Sequence, residues 1–146
     1  MLNPIPQLFF QEIQKQLTFL VTKQDFKGPF SNFGQNNELY IYEVWFLGKN
    51  ISIEFMLDWR DRSIDCYIAK LKNGNRPEGW LVSEQGDRVR VRLSTWIRGK
   101  GIKDRLFSNV NELSFEEQIP VAIGDYVRML NEYGYTILEN SDNVFS

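Results

Sequence analysis

The chain has 146 residues, 25% of them charged and 14% aromatic, and a formal net charge of −2. That length suits a single domain spanning 1–146, whose folding buries roughly 68–70% of the unfolded chain's surface; so aromatic a chain is not disordered over most of its length. It contains no histidine and one cysteine. This excludes Ser-His-Asp and Cys-His catalysis, HExxH motifs, His-containing zinc sites and an intramolecular disulfide.

Met1-Leu-Asn-Pro-Ile-Pro6 has neither the basic stretch nor the uninterrupted apolar core of a signal peptide. No run of about 18 apolar residues occurs to span a bilayer. The expected setting is cytoplasmic, without a membrane. Ile5, Leu8, Phe9, Ile13, Leu17, Leu20 and Val21 recur at helical spacing. They predict one amphipathic helix, with Pro4 and Pro6 near its start, where missing N–H donors cost little. It should end before Lys27-Gly-Pro-Phe30, because a residue preceding proline avoids the helical region.

The period then changes. Leu39 to Leu47 is almost continuously apolar, as in a strand covered on both faces, and Gly48-Lys-Asn50 supplies a hairpin turn. Ile51, Ile53, Phe55 and Leu57 alternate with Ser52, Glu54, Met56 and Asp58, the pattern of a half-buried strand. After the turn Trp59–Ser63, Ile64, Cys66 and Ile68 alternate with Asp65, Tyr67 and Ala69. Lys72-Asn-Gly-Asn-Arg-Pro-Glu-Gly79 reads as a surface loop. Beyond Trp80-Leu-Val82, a strand over 88–93 puts Val89, Val91 and Leu93 on one face and Arg88, Arg90 and Arg92 on the other.

Helical character returns near Ser94. Ser114-Phe-Glu-Glu117 has capping-box spacing, Pro120 predicts a kink or a restart, and Gly134 fits the C′ position. A helix, then about four to five strands in sequence, then helices make an α+β fold. The expected architecture is an antiparallel meander sheet with the N-terminal and C-terminal helices packed on one face.

Charge is uneven along this order. Residues 88–105 carry seven Lys and Arg against Asp104 alone, a net +6, whereas residues 106–146 carry a net −6. The basic stretch could meet phosphates or an acidic partner; alternatively the acidic C-terminal helix lies beside it and cancels it. Nucleic acid is disfavoured as a partner by the sequence pI of about 5.2.

Two groupings could carry chemistry. Glu54, Asp58 and Asp65, with Asp61 nearby, could bind Mg²⁺ or Ca²⁺ or act as an acid/base pair, although a solvated strand face is the favoured reading. Arg88, Arg90 and Arg92, with Trp59 and Arg60 in the preceding turn, have the Arg-and-aromatic composition of an interaction hot spot. Arg98-Gly-Lys-Gly-Ile-Lys103 lacks both the Walker and the GxGxxG spacing. Cys66, inside an alternating strand, reads as a buried, inert thiol.

Phe19-Leu20 with Phe26, Leu39-Tyr-Ile-Tyr42, Ile51-Ser-Ile-Glu54, Asp58-Trp-Arg-Asp-Arg-Ser-Ile-Asp-Cys-Tyr-Ile68 and Tyr126-Val-Arg-Met-Leu130 are elements of a layout. Tyr133-Gly134, Ile137-Leu138 and Asp142-Asn-Val-Phe145 complete it. The layout resembles that of a large group of small bacterial proteins without assigned activity, some of them immunity proteins that neutralise polymorphic toxins. Asn140-Ser-Asp142 stands where the group's usual glycine precedes the late Asp. The resemblance implies a fold and a binding role, with no active site to carry over. The expected function is protein binding of the immunity type, without a cofactor. The alternatives are a carboxylate- or metal-dependent hydrolase at Glu54, Asp58 and Asp65 and a weak nucleic-acid binder through Arg88, Arg90 and Arg92. A homodimer contact through that arginine face stays open.

Overall fold

The computed structural model describes residues 4–32 and 40–145. Helix α1 (Ile5–Gln16) and the short α2 (Thr18–Thr22) lead into strand β1 (Lys27–Ser31). Strands β2 (Ile41–Leu47), β3 (Ile51–Asp58), β4 (Ser63–Lys70) and β5 (Arg90–Arg92) follow. Then come α3 (Leu93–Gly99), α4 (Phe115–Tyr133), α5 (Tyr135–Leu138) and a 3₁₀ turn at Asp142–Phe145. The five strands lie side by side in chain order, each antiparallel to the next. This is the expected α+β meander; Leu39, the expected start of the second strand, lies outside the described residues. No helix among the described residues is long and apolar enough to cross a membrane.

Strand alternation builds the core. Ile51, Ile53, Phe55 and Leu57 are fully buried, and the register sets Val44 and Cys66 on either side of Phe55, and Phe46 and Ile68 on either side of Ile53. Phe9 and Ile13 of α1 and Ile119, Ile123, Tyr126 and Leu130 of α4 cover this face. Tyr126 meets Phe55 edge-on at 6.3 Å, and its hydroxyl donates to the Ile64 carbonyl at 2.7 Å. Each large apolar side chain buried here contributes about 1.5–3 kcal/mol.

The structure departs from expectation in four places, each with a local cause. The N-terminal helix breaks at Leu17, where the Thr18 hydroxyl donates to the Gln14 carbonyl at 2.8 Å and offers the backbone an alternative partner. The helical segment ends at Thr22, before Lys27-Gly-Pro-Phe30 as expected, but that stretch is not a bare connection: it forms edge strand β1, bulged between Lys27 and Phe30, where Pro29 is tolerated. Helix α4 neither ends nor restarts at Pro120. The carbonyl left without its donor belongs to Glu116, in the exposed first turn where water can serve it. Gly134 closes α4 with a negative φ of −99°, so a left-handed cap is not its role. Space is, because a Cβ there would lie 2.6 Å from the Leu130 carbonyl oxygen.

The capping box forms as expected. Glu117 N–H donates to Ser114 Oγ at 3.2 Å, and Ser114 N–H to Glu117 Oε1 at 3.0 Å. These bonds hold the exposed Glu117 carboxyl below its usual range. Burial pushes the Cys66 thiol well up, with Glu54 and Asp65 adding to the shift.

Candidate functional site

The second face of the sheet is not a solvated strand face. Register places Trp45 and Tyr67 on either side of Glu54, with Arg92 beside Tyr67 and Arg90 beside Ala69. The 19 residues between β4 and β5, 71–89, form a long loop that folds back over this row. Its ends are tied where Lys70 N–H donates to the Val89 carbonyl at 2.8 Å. Connections this long without regular structure are uncommon in compact domains and are usually functional.

Glu54 anchors the loop. From one side, Arg76 Nε donates to Glu54 Oε2 at 2.6 Å and Arg76 Nη2 to Glu43 Oε2 at 3.2 Å. From the other, Arg90 donates through Nε to Oε1 at 2.6 Å and through Nη2 to Oε2 at 3.2 Å. Ser52 Oγ adds a bond to Oε2 at 3.2 Å. Arg90 Nη1 also donates to the carbonyls of Gly79 and Trp80, tying the loop directly to β5. Each guanidinium stacks on a ring, Arg76 over Trp45 at 4.2 Å and Arg90 over Trp80 at 4.6 Å, and Trp80 meets Tyr67 edge-on at 5.0 Å. Glu54 and Ser52 are fully buried and Arg90 is 4% exposed. Among the described residues no buried side-chain nitrogen or oxygen lacks a partner, as a buried polar network requires.

This arrangement redistributes the residues singled out in the sequence. Arg88, Arg90 and Arg92 do not form one open face. Arg90 is internal, because Glu54 lies in phase with it across the sheet. Arg92 is exposed but donates to the Tyr67 hydroxyl at 3.0 Å and lies 3.6 Å from Asp65. Arg88 is exposed on the loop. Trp59 and Arg60 belong to the β3–β4 turn, at the far end of β4 from Arg88, roughly 23 Å away at 3.3 Å per residue. Trp59 packs on Phe115 with centroids 6.0 Å apart, and Arg60 lies 5.0 Å over the Tyr40 ring.

The carboxylate grouping is also dispersed. Asp65 faces Met56, diagonally between Glu54 and Asp58. Asp58 Oδ1 accepts from the Asp61 N–H at 3.0 Å, and both Glu54 oxygens accept from guanidiniums. Among the described residues no three His, Cys, Asp or Glu come together as a metal site. Nor does the acidic C-terminal helix cancel the basic strand: α4 packs on the opposite face, and Arg90 and Arg92 pair with Glu54 and Asp65 of the sheet itself. Arg76, Glu43, Trp45 and Trp80 complete the network and were not singled out as a group. Their only signal in the sequence is a glutamate at the centre of an apolar strand, in phase with alternating arginines.

Beside the anchored base, Trp80, Leu81 and Val82 are 44%, 48% and 54% exposed, three consecutive large apolar side chains. The loop also encloses a cleft of about 560 Å³ lined by its own residues, Arg76, Pro77, Gly79 and Arg88 among them. The arrangement can present a fixed apolar edge and a charged rim to a partner. Comparison with known protein families, curated proteins and solved structures gives no match to this chain.

Proposed function

We propose that the protein works by recognition, gripping another protein through loop 71–89, and that it is of the immunity type, a non-enzymatic binder that blocks a partner's working surface. One observation carries this reading: Trp80-Leu81-Val82 stands exposed on a loop whose base is fixed by the Glu54–Arg76–Arg90 network. Runs of exposed apolar side chains mark interaction sites. A loop already ordered in the free protein gives up little conformational freedom on binding. Trp and Arg at the centre of such a surface are the residue types that dominate interface energetics. Catalysis finds no comparable support, since the buried Glu54 carboxylate is saturated by guanidinium and hydroxyl donors and the buried Asp125 carboxylate accepts from the N–H and hydroxyl of Ser108.

The test uses Leu81→Ser/Val82→Ser, which alters exposed side chains and leaves the network intact. A protein captured from the native host by the wild type is purified and titrated against both forms. The expected result is a one-to-one complex weakened about a hundredfold by the double substitution, with an unchanged urea midpoint. A complex indifferent to the substitution, or the absence of any stoichiometric protein complex, overturns the proposal.

A further inference from the structure

The arginines of β5 are neutralised, but the basic stretch that follows them is not. Arg98, Lys100, Lys103 and Arg105 are all exposed, and none forms an ion pair among the described residues. The one carboxylate among them, Asp104, accepts from the Tyr133 hydroxyl at 2.6 Å. Residues 98–105 therefore carry a net +3 on a chain whose total is −2. The backbone bearing this charge is fixed. Arg98 Nη1 donates to the Ile102 and Asp104 carbonyls at 3.0 and 2.6 Å, and Arg105 Nε to the Phe107 carbonyl at 2.9 Å.

The stretch ends in a shallow depression of about 330 Å³ lined by Arg105, Phe107, Ser108, Asn109 and Arg128. Phe107 is 45% exposed and is braced edge-on against Tyr126 at 5.8 Å. Asp125 accepts from both the N–H and the hydroxyl of Ser108 at 2.8 and 2.7 Å, which holds the floor. Two guanidiniums beside an exposed ring suit a carboxylate carried on a chain with an apolar neighbour.

We propose that this ledge, 98–109 with Arg128, is a second docking surface, and that its occupant is a short acidic segment of a protein. Charge complementarity selects an anion. A nucleic-acid strand fits less well, because the ledge offers one exposed ring, not the row of rings on which successive bases stack.

Fluorescence anisotropy with labelled decaglutamate, and with single-stranded oligothymidylate of equal charge, tests the proposal on the intact chain. Decaglutamate should bind saturably at low salt and weaken about tenfold or more at physiological salt, as exposed charge contacts do. Lys103→Glu/Arg105→Glu should lower its affinity at least about tenfold without moving the urea midpoint. Leu81→Ser/Val82→Ser should leave it unchanged, separating this surface from the loop. No saturable binding of decaglutamate, equal binding by the charge-reversed variant, loss on substitution of Leu81 and Val82, or tighter binding of the oligonucleotide would each overturn the assignment.

Discussion

Glu54→Gln is the sharpest probe of the architecture. The substitution keeps the shape and removes the charge at a fully buried position where four donor contacts converge, three from guanidinium nitrogens and one from the Ser52 hydroxyl. A glutamine presents one acceptor oxygen, so its amide group must face at least one guanidinium donor to donor. Arg76 is partly exposed and keeps Glu43, but Arg90, at 4% exposure, has no other carboxylate. Removing one member of a buried ion pair costs about 3–5 kcal/mol, because a charge stays buried without its partner. Against a total stability of about 5–15 kcal/mol this is a large fraction. With a urea dependence of about 2 kcal/mol per molar, the midpoint should fall by roughly 2 M. Arg90→Met and the double variant Glu54→Met/Arg90→Met complete a cycle, in which the double variant should be far less destabilised than the sum of Glu54→Met and Arg90→Met. A Glu54→Gln midpoint within about 0.5 M of wild type, equivalent to the loss of one ordinary hydrogen bond, would refute the buried network and with it the anchoring of the loop.

Other consequences follow from the same structure. Cys66 is fully buried with its thiol pushed up, so a thiol reagent should label the native protein roughly 10³-fold or more slowly than the urea-unfolded chain; comparable rates would mean the sheet opens readily. Ser114→Ala should cost about 1 kcal/mol by urea unfolding, through loss of the α4 cap. Glu117, with its folded carboxyl below the ordinary range, stabilises α4 fully above that range and loses the effect as pH falls through the lowered folded value. The stability gap between wild type and Glu117→Gln should therefore close on acidification, and a gap that widens would contradict the assignment.

How much of this was legible from the sequence differs by layer. Period-two alternation in 51–58 and 63–70 identifies the core face correctly, since Ile53, Phe55, Cys66 and Ile68 are the residues that the helices cover. The same alternation leaves the second face unassigned. Ser52, Glu54 and Met56 look alike whether water or a distant loop covers them, and nothing local says that Arg76 will return across the sheet. Arg90 and Arg92 share a phase, yet one is internal and the other exposed; the difference lies in their cross-strand neighbours, Ala69 and Tyr67, and in the loop above. β1 was hidden because Gly28-Pro29 is as good a helix stop as it is an edge-strand device. Pro120 misled in the opposite direction: the cost of an interior proline depends on where its orphaned carbonyl points, which composition does not reveal.

The two rims of the sheet have a consequence for behaviour at high concentration. β1 carries Pro29 and a bulge, with a lysine at its start. β5 is only three residues long, gives way at once to α3, and is flanked by the Val82–Arg88 bridge. Neither rim offers a long, flat row of backbone groups to another copy, and proline, lysine and bulges are the means by which native sheets discourage strand-to-strand accretion. The folded protein should therefore tolerate crowding without growing fibres from its margins. Aggregation, where it occurs, has to begin from molecules that have first released the loop or lost the sheet.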